Sequence, residues 1–174
     1  MRGKIISVFP CCGKTHAATK YYSELDCIDH DFYDWKYRSV HREKIWLKHY
    51  MTRTVQLRYK FNFIFINALP EILQCLGSGY NMGDTAVVYP RRKLKDEWVE
   101  RAKSRGGVSQ FPFLLEEKWD EWIDACMSWP GKCYVLESGE YLTDIIKSLY
   151  GVTISLNSMP GKKASKLSSK AGYA

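Results

Sequence analysis

Five short apolar runs alternate along the chain with longer stretches in which apolar residues recur every three or four positions. The runs are Lys4–Phe9, Leu25–Ile28, Phe61–Ile66, Thr85–Tyr89 and Cys133–Leu136, each strand-sized and rich in β-branched or aromatic residues. Between them a helix is predicted from Gly13 to about Tyr22, and another from about Trp35 to Tyr59. A third runs from Pro70 to Leu76 and is closed by Gly77. Leu94, Trp98 and Ala102 recur every four residues on a charged helix that ends at Gly106-Gly107. Leu115, Trp119, Trp122, Ile123 and Cys126 mark an amphipathic helix ended by Pro130-Gly131. Ser138 is expected to cap a last helix whose Leu142, Ile145, Ile146 and Leu149 share one face. Continuous apolar strands separated by helices call for an α/β fold, with a parallel sheet covered on both faces. One domain is expected over residues 1–156. Residues 157–174 lack periodicity and read as a disordered tail.

Composition narrows the class. The chain of 174 residues is long enough for a core without disulfide or metal staples. It contains no apolar run of about 18 residues, so no membrane-spanning helix is expected. The apolar run after Met1-Arg2-Gly3-Lys4 is only strand-length, which reads against a signal peptide and for a cytoplasmic protein. The six cysteines form no CxxC pair and no Cys/His ladder, so reduced thiols are expected, not a zinc site or a disulfide framework. The net charge of +7 is local: residues 157–174 hold four lysines and no acid, and residues 31–60 hold eight Lys/Arg against three Asp/Glu. The remainder is slightly acidic. The lysine tail is expected to contact polyanions.

Gly13-Lys14-Thr15, set between the first strand and the first helix, matches the last three positions of the phosphate-loop pattern GxxxxGK(S/T). Each residue type has a task there. Gly13 lets backbone N–H groups approach the phosphates, Lys14 neutralises β/γ oxygens, and the Thr15 hydroxyl ligates Mg²⁺, with the positive end of the helix dipole behind them. The loop that would bind nucleotide comprises Pro10, Cys11, Cys12, Gly13, Lys14, Thr15 and His16. Val8 stands where the pattern has its leading glycine, and Pro10 is a candidate to shape the loop instead. Cys11 and Cys12 read as small residues filling variable loop positions, not as acidified thiols.

On these residues the sequence resembles the P-loop kinases of the nucleoside monophosphate kinase-like fold, in particular small phage kinases. Further anchors are Asp29-His30-Asp31, Val88-Tyr89-Pro90 with the charged Lys93–Arg105 helix, and Leu136-x-Ser138-Gly139-Glu140-Tyr141-Leu142. The resemblance spans roughly residues 3–150 in order of elements. It implies a three-layer P-loop NTPase fold whose five-stranded parallel sheet has the order 2-3-1-4-5. It also implies ATP and Mg²⁺, and the host cytoplasm if the chain is viral. Asp29 and Asp31 look like the Asp-x-Asp of small-molecule kinases such as shikimate kinase, with Asp29 near the metal and Asp31 orienting or deprotonating an acceptor hydroxyl. Two carboxylates two apart on an extended segment point to the same side. Arginines in the position of Arg91, Arg92, Arg101 and Arg105 form a lid in such kinases, and Arg101 and Arg105 share a helix face. No Walker B acid is evident: the third strand ends in Asn67-Ala68, and the nearest acid is Glu71.

In this fold the basic, aromatic 31–60 stretch covers the acceptor. It interleaves Lys36, Arg38, Arg42, Lys44, Lys48, Arg53, Arg58 and Lys60 with Phe32, Tyr33, Trp35, Tyr37, Trp46, Tyr50 and Tyr59, and about half of those aromatics are expected in the core. His30, between the two acids, reads as a loop histidine. The leading expectation is an ATP/Mg²⁺-dependent phosphotransferase acting on a nucleotide-like acceptor such as a deoxynucleoside monophosphate. Catalysis would rest on Lys14, Asp29, Asp31, Arg101 and Arg105, and the metal on Thr15 and Asp29. Two alternatives stand beside it: a kinase of a hydroxymethylated base within phage DNA, and a non-catalytic nucleic-acid-binding protein on a decayed kinase fold.

Overall fold

Ile5, Ile6, Ser7 and Val8 are all buried, which requires that both faces of their strand be covered. In the computed structural model that strand is the centre of a five-stranded sheet. The structure describes residues 3–30, 40–78, 85–106 and 110–150, with side chains described throughout these ranges except at 40–45 and 147–150. Asp31, the rest of 31–39 and the lysine tail lie outside the described residues.

The elements are β1 (Lys4–Val8), α1 (Lys14–Lys20), α2 (Tyr22–Leu25), β2 (Cys27–Asp29), α3 (Val40–Leu57), β3 (Phe63–Asn67) and α4 (Pro70–Ser78). They continue with β4 (Ala86–Pro90), α5 (Lys95–Ser104), α6 (Phe111–Met127), β5 (Lys132–Leu136) and α7 (Leu142–Tyr150). All strand pairs are parallel and the order is β2-β3-β1-β4-β5. The chain moves one way across the sheet from β1 to β2 and the opposite way thereafter. Right-handed crossovers therefore put α1 on one face and α3, α4 and α6 on the other. Contacts follow that division: α1 touches α7, while α4 touches α3 and α6. The result is a three-layer α/β fold with a P-loop-like sheet order.

Ile64, Phe65 and Ile66 of β3 are enclosed with Ile5 and Ile6, each isoleucine contributing about 1.5–3 kcal/mol by leaving water. Edge strand β5 exposes Lys132 and Cys133, and a charged residue on an edge discourages further pairing. On α6, Leu115, Trp119, Trp122, Ile123 and Cys126 are buried as their spacing predicts. Among the described residues no helix is long and apolar enough to cross a membrane.

Three local expectations are corrected. Leu25 belongs to α2, because Asp26 turns the chain in the left-handed region (φ 48°) and the strand starts only at Cys27. Ser138 does not cap α7. It lies in the turn after β5, where Gly139 adopts φ +79°, and its hydroxyl donates to Glu97 at 2.8 Å; the carboxylate of Asp144 instead accepts the Tyr141 N–H at 2.7 Å. Arg58, counted with the basic stretch, is buried. Its Nε donates to the Gly3 carbonyl at 2.8 Å while the Gly3 N–H donates back to the Arg58 carbonyl at 2.7 Å. A Cβ on Gly3 would lie 1.9 Å from the Phe61 carbonyl oxygen, so this junction admits only glycine.

Candidate phosphate-binding site

Strands β1 and β3 are neighbours whose following helices leave to opposite faces, and such a switch point opens a crevice at the carboxyl ends of the strands. Phe9 to Thr15 lie there. Val8 continues the ladder, paired with Asn67 and Val88, and has no positive φ, so glycine is not needed at that position. The left-handed residues are Cys11 (φ 62°) and Gly13 (φ +88°). A Cβ on Gly13 would also crowd Tyr141 at 3.3 Å.

Packing holds the loop in this shape. The Phe9 ring is fully enclosed and meets Trp119 and Trp122 edge-on, at centroid distances of 5.3 and 6.2 Å. Trp98 Nε1 donates to the Pro10 carbonyl at 3.2 Å, and the Leu142 N–H donates to the Cys12 carbonyl at 2.8 Å. Helices α5, α6 and α7 thus each grip one loop residue. Trp98 and Leu142 were visible in the sequence only as core positions. Burial pushes the Cys11 and Cys12 thiols up, for Cys11 against the opposing pull of Arg105. Both thiols stay protonated and serve as packing.

Beyond the loop, Lys14 is 7% exposed and its Nζ lies 3.4 Å from Asp29 Oδ1, on a carboxylate 13% exposed. The Thr15 hydroxyl donates to Asp29 Oδ2 at 2.6 Å. Asp29 reaches the loop from β2, across the end of β3. The β3 end itself presents Asn67, a neutral amide lining a cavity of about 170 Å³ beside the loop. Phe9, Pro10, Cys11, Cys12, Gly13, Lys14, Thr15, Arg105 and Phe111 complete that cavity. Among the described residues no group of three or more His, Cys, Asp or Glu could hold a metal ion. Thr15 and Asp29 supply two hard oxygens, which suits a cation that keeps several waters and takes the rest from phosphate.

The two helix arginines differ. Arg105 lines the cavity, with Nη1 3.6 Å from Cys11 Sγ. Arg101 is stacked between the Trp98 and Tyr141 rings, 3.8 and 4.1 Å from their centroids, and donates to the Glu140 carbonyl and to Glu97. That Glu97–Arg101 pair is the i, i+4 bridge its spacing suggests. Glu97 also accepts from the Ser138 hydroxyl and the Gly139 N–H; burial raises its pKa, but these hydrogen bonds together hold it below the ordinary carboxylate value. Arg101 therefore holds the turn behind the loop, while it edges a second cavity of about 220 Å³ with Thr15, His16, Ser104, Arg105 and Tyr141. Of the other arginines, Arg91 pairs with Glu137, and Arg92 with Asp120 and Asp124.

On the far side of Asp29 the rings of His30, Tyr50 and Trp46 stack in a ladder, with centroids 4.6 and 5.3 Å apart and interplanar angles of 8° and 15°. Tyr50 Oη donates to the His30 carbonyl at 2.8 Å. Beside the ladder is a cavity of about 310 Å³ bounded also by His49, Thr52, Arg53 and Gln56. Asp31, the second acid of the Asp-x-Asp, lies outside the described residues.

No family model matches the sequence, and neither does any curated protein. Among solved structures, the chain is similar to an uncharacterized protein from Eubacterium ventriosum ATCC 27560, at 15% identity and a TM-score of 0.46, covering 87% of this chain and 100% of that one.

Proposed function

We propose that this chain is an ATP- and Mg²⁺-dependent phosphotransferase whose acceptor is a nucleotide, of the deoxynucleoside monophosphate kind. The observation that carries the reading is the convergence of Lys14, Thr15 and Asp29 at the end of a loop held left-handed at residues 11 and 13. Phosphoryl transfer depends mainly on positioning and charge neutralisation. Lys14 supplies a cation for the β- and γ-phosphate oxygens, and Arg105, which lines the same cavity, supplies a second. Thr15 and Asp29 would hold Mg²⁺, which when bound neutralises charge on the transferring phosphoryl group. The ring ladder of His30, Tyr50 and Trp46 offers a face on which a base stacks, with Arg53 and Gln56 near its edge. The γ-phosphoryl group then passes to an acceptor oxygen and ADP leaves.

A hydroxymethylated base within DNA is the second acceptor class, favoured by the exposed cations Lys48, Arg53 and Lys60 on α3 and the turn after it. The test is γ-labelled ATP with Mg²⁺, offered with a panel of deoxynucleoside monophosphates and with hydroxymethylated duplex DNA. Label moving to a monophosphate supports the first acceptor, and label retained on DNA the second. No transfer to either, with DNA still bound, would leave the chain a nucleic-acid-binding protein and reject the enzyme reading.

A further inference from the structure

We propose that Arg53 and Gln56 select the acceptor base, favouring the keto bases guanine and thymine or uracil over the amino bases adenine and cytosine; this rests on the acceptor reading above. Trp46, Tyr50, Arg53 and Gln56 stand at i, i+4, i+7 and i+10 of α3. One stripe of the helix thus brings two rings of the ladder and two polar side chains to the same cavity of about 310 Å³. Arg53 Nη1 donates to Gln56 Oε1 at 3.3 Å. That bond sets the direction of the amide on chemical grounds, because a guanidinium carries N–H donors and no acceptor. The Gln56 carbonyl is turned to Arg53, and its NH₂ group is left for whatever enters the cavity.

The pair therefore offers a base N–H donors and no acceptor. The bases differ where such donors reach them. Guanine presents N7 and O6, both acceptors, where adenine presents N7 and the N6 amino group; thymine and uracil present O4 where cytosine presents its N4 amino group. A keto base meets donors with acceptors. An amino base sets donor against donor, and the Gln56 amide can reverse only by turning its NH₂ onto the guanidinium. The other groups around the cavity do not discriminate. His49 and Thr52 line it too, but a neutral imidazole and a hydroxyl each donate and accept, so they adapt to either partner. Stacking on the rings accepts every base, since every base has a π-face. Among the described residues the choice of base thus falls on Arg53 and Gln56.

The experiment is calorimetric titration of the full chain with four deoxynucleoside monophosphates, for wild type, Gln56→Glu and Arg53→Met. The ligands form two pairs: dIMP with dAMP, and dUMP with dCMP. Hypoxanthine carries the N7 and O6 of guanine without its 2-amino group. Within a pair the sugar, phosphate and ring size are shared, so the affinity ratio isolates the keto-for-amino exchange. Wild type is expected to bind the keto member at least about tenfold more tightly in both pairs, as one well-made base contact allows. Gln56→Glu keeps the bond to Arg53 but puts an acceptor oxygen where the NH₂ stood, and should bring both ratios to unity or below. Arg53→Met frees the amide to turn and should lower both ratios towards unity. Far-UV circular dichroism and melting curves establish that the variants fold. Equal binding within the pairs by wild type would overturn the proposal, a result that depends on no variant. So would a variant that keeps the wild-type ratios, even one that weakens all four ligands alike. If wild type binds none of the four, the acceptor reading itself fails and takes the base preference with it, which is a different outcome from equal binding.

Discussion

The Phe9–Thr15 loop and the ring ladder of His30, Tyr50 and Trp46, the proposed donor and acceptor sides, are built on opposite plans. The Phe9–Thr15 loop is gripped from three helices, through Phe9 on Trp119 and Trp122, Pro10 on Trp98 and Cys12 on Leu142. The proposed acceptor side presents a ladder of three rings with an open cavity alongside, and only Tyr50 of those rings is fully in the core. The difference teaches how a loop in this position keeps its shape without a leading glycine. The backbone shape is imposed by packing around the loop, so Val8 serves as an ordinary central-strand residue and Cys11 tolerates a left-handed conformation, which costs about 1–2 kcal/mol for a residue with a Cβ.

If packing sets the loop, the largest effect on stability should come from its anchors. Trp119→Ala is expected to lower stability by about 3–5 kcal/mol and to weaken ATP binding with it, read by urea unfolding and titration. A variant that kept full stability would break the contrast between the two sides. Gly13→Ala comes next, because the substitution forces a Cβ onto φ +88° and against Tyr141. A loss of about 1–3 kcal/mol is expected, with ATP affinity falling more than stability alone explains. On the acceptor side the order reverses: Trp46→Ala, at a partly buried ring, should change stability by about 1 kcal/mol or less while raising the acceptor KM about tenfold, since one base–aromatic stack is worth about 1–3 kcal/mol. Equal KM values would remove the ladder from the acceptor site.

The smallest effect is a pH dependence at the turn behind the loop. Glu97 is held below its ordinary pKa, so its contribution is present above the ordinary carboxylate range and disappears as pH falls through the lowered value. Glu97→Gln should therefore melt below wild type at pH 7, with the gap closing under acid conditions. A gap independent of pH would detach Glu97 from the turn.

Much of this was legible in the sequence because the decisive signals are local. Five apolar runs separated by helices dictate a parallel sheet, and Gly13-Lys14-Thr15 after the first run marks the turn from β1 into α1. The sheet order 2-3-1-4-5 came with the family resemblance and is the order found. What was not legible depends on residues far apart in the chain. Trp98 has the spacing of a core residue, and nothing local says that its indole N–H reaches Pro10, 88 positions earlier. Arg58 reads as one more surface cation until Gly3 is seen to close on it. Arg101 and Arg105 share a face as predicted, but the rings of Trp98 and Tyr141 engage only the first of them. Ser138 matches a helix cap in composition, and the Gly139 turn sends its hydroxyl to Glu97 instead.

The most direct measurement is transfer of label from γ-labelled ATP in Mg²⁺ by wild type and by Lys14→Ala, with melting temperatures taken in parallel. Wild type should transfer phosphoryl groups, and the variant should fold yet lose at least about a hundredfold in rate, because the cation that meets the phosphates is gone. A folded Lys14→Ala variant that transfers label as fast as wild type would contradict a phosphate-binding role for this loop.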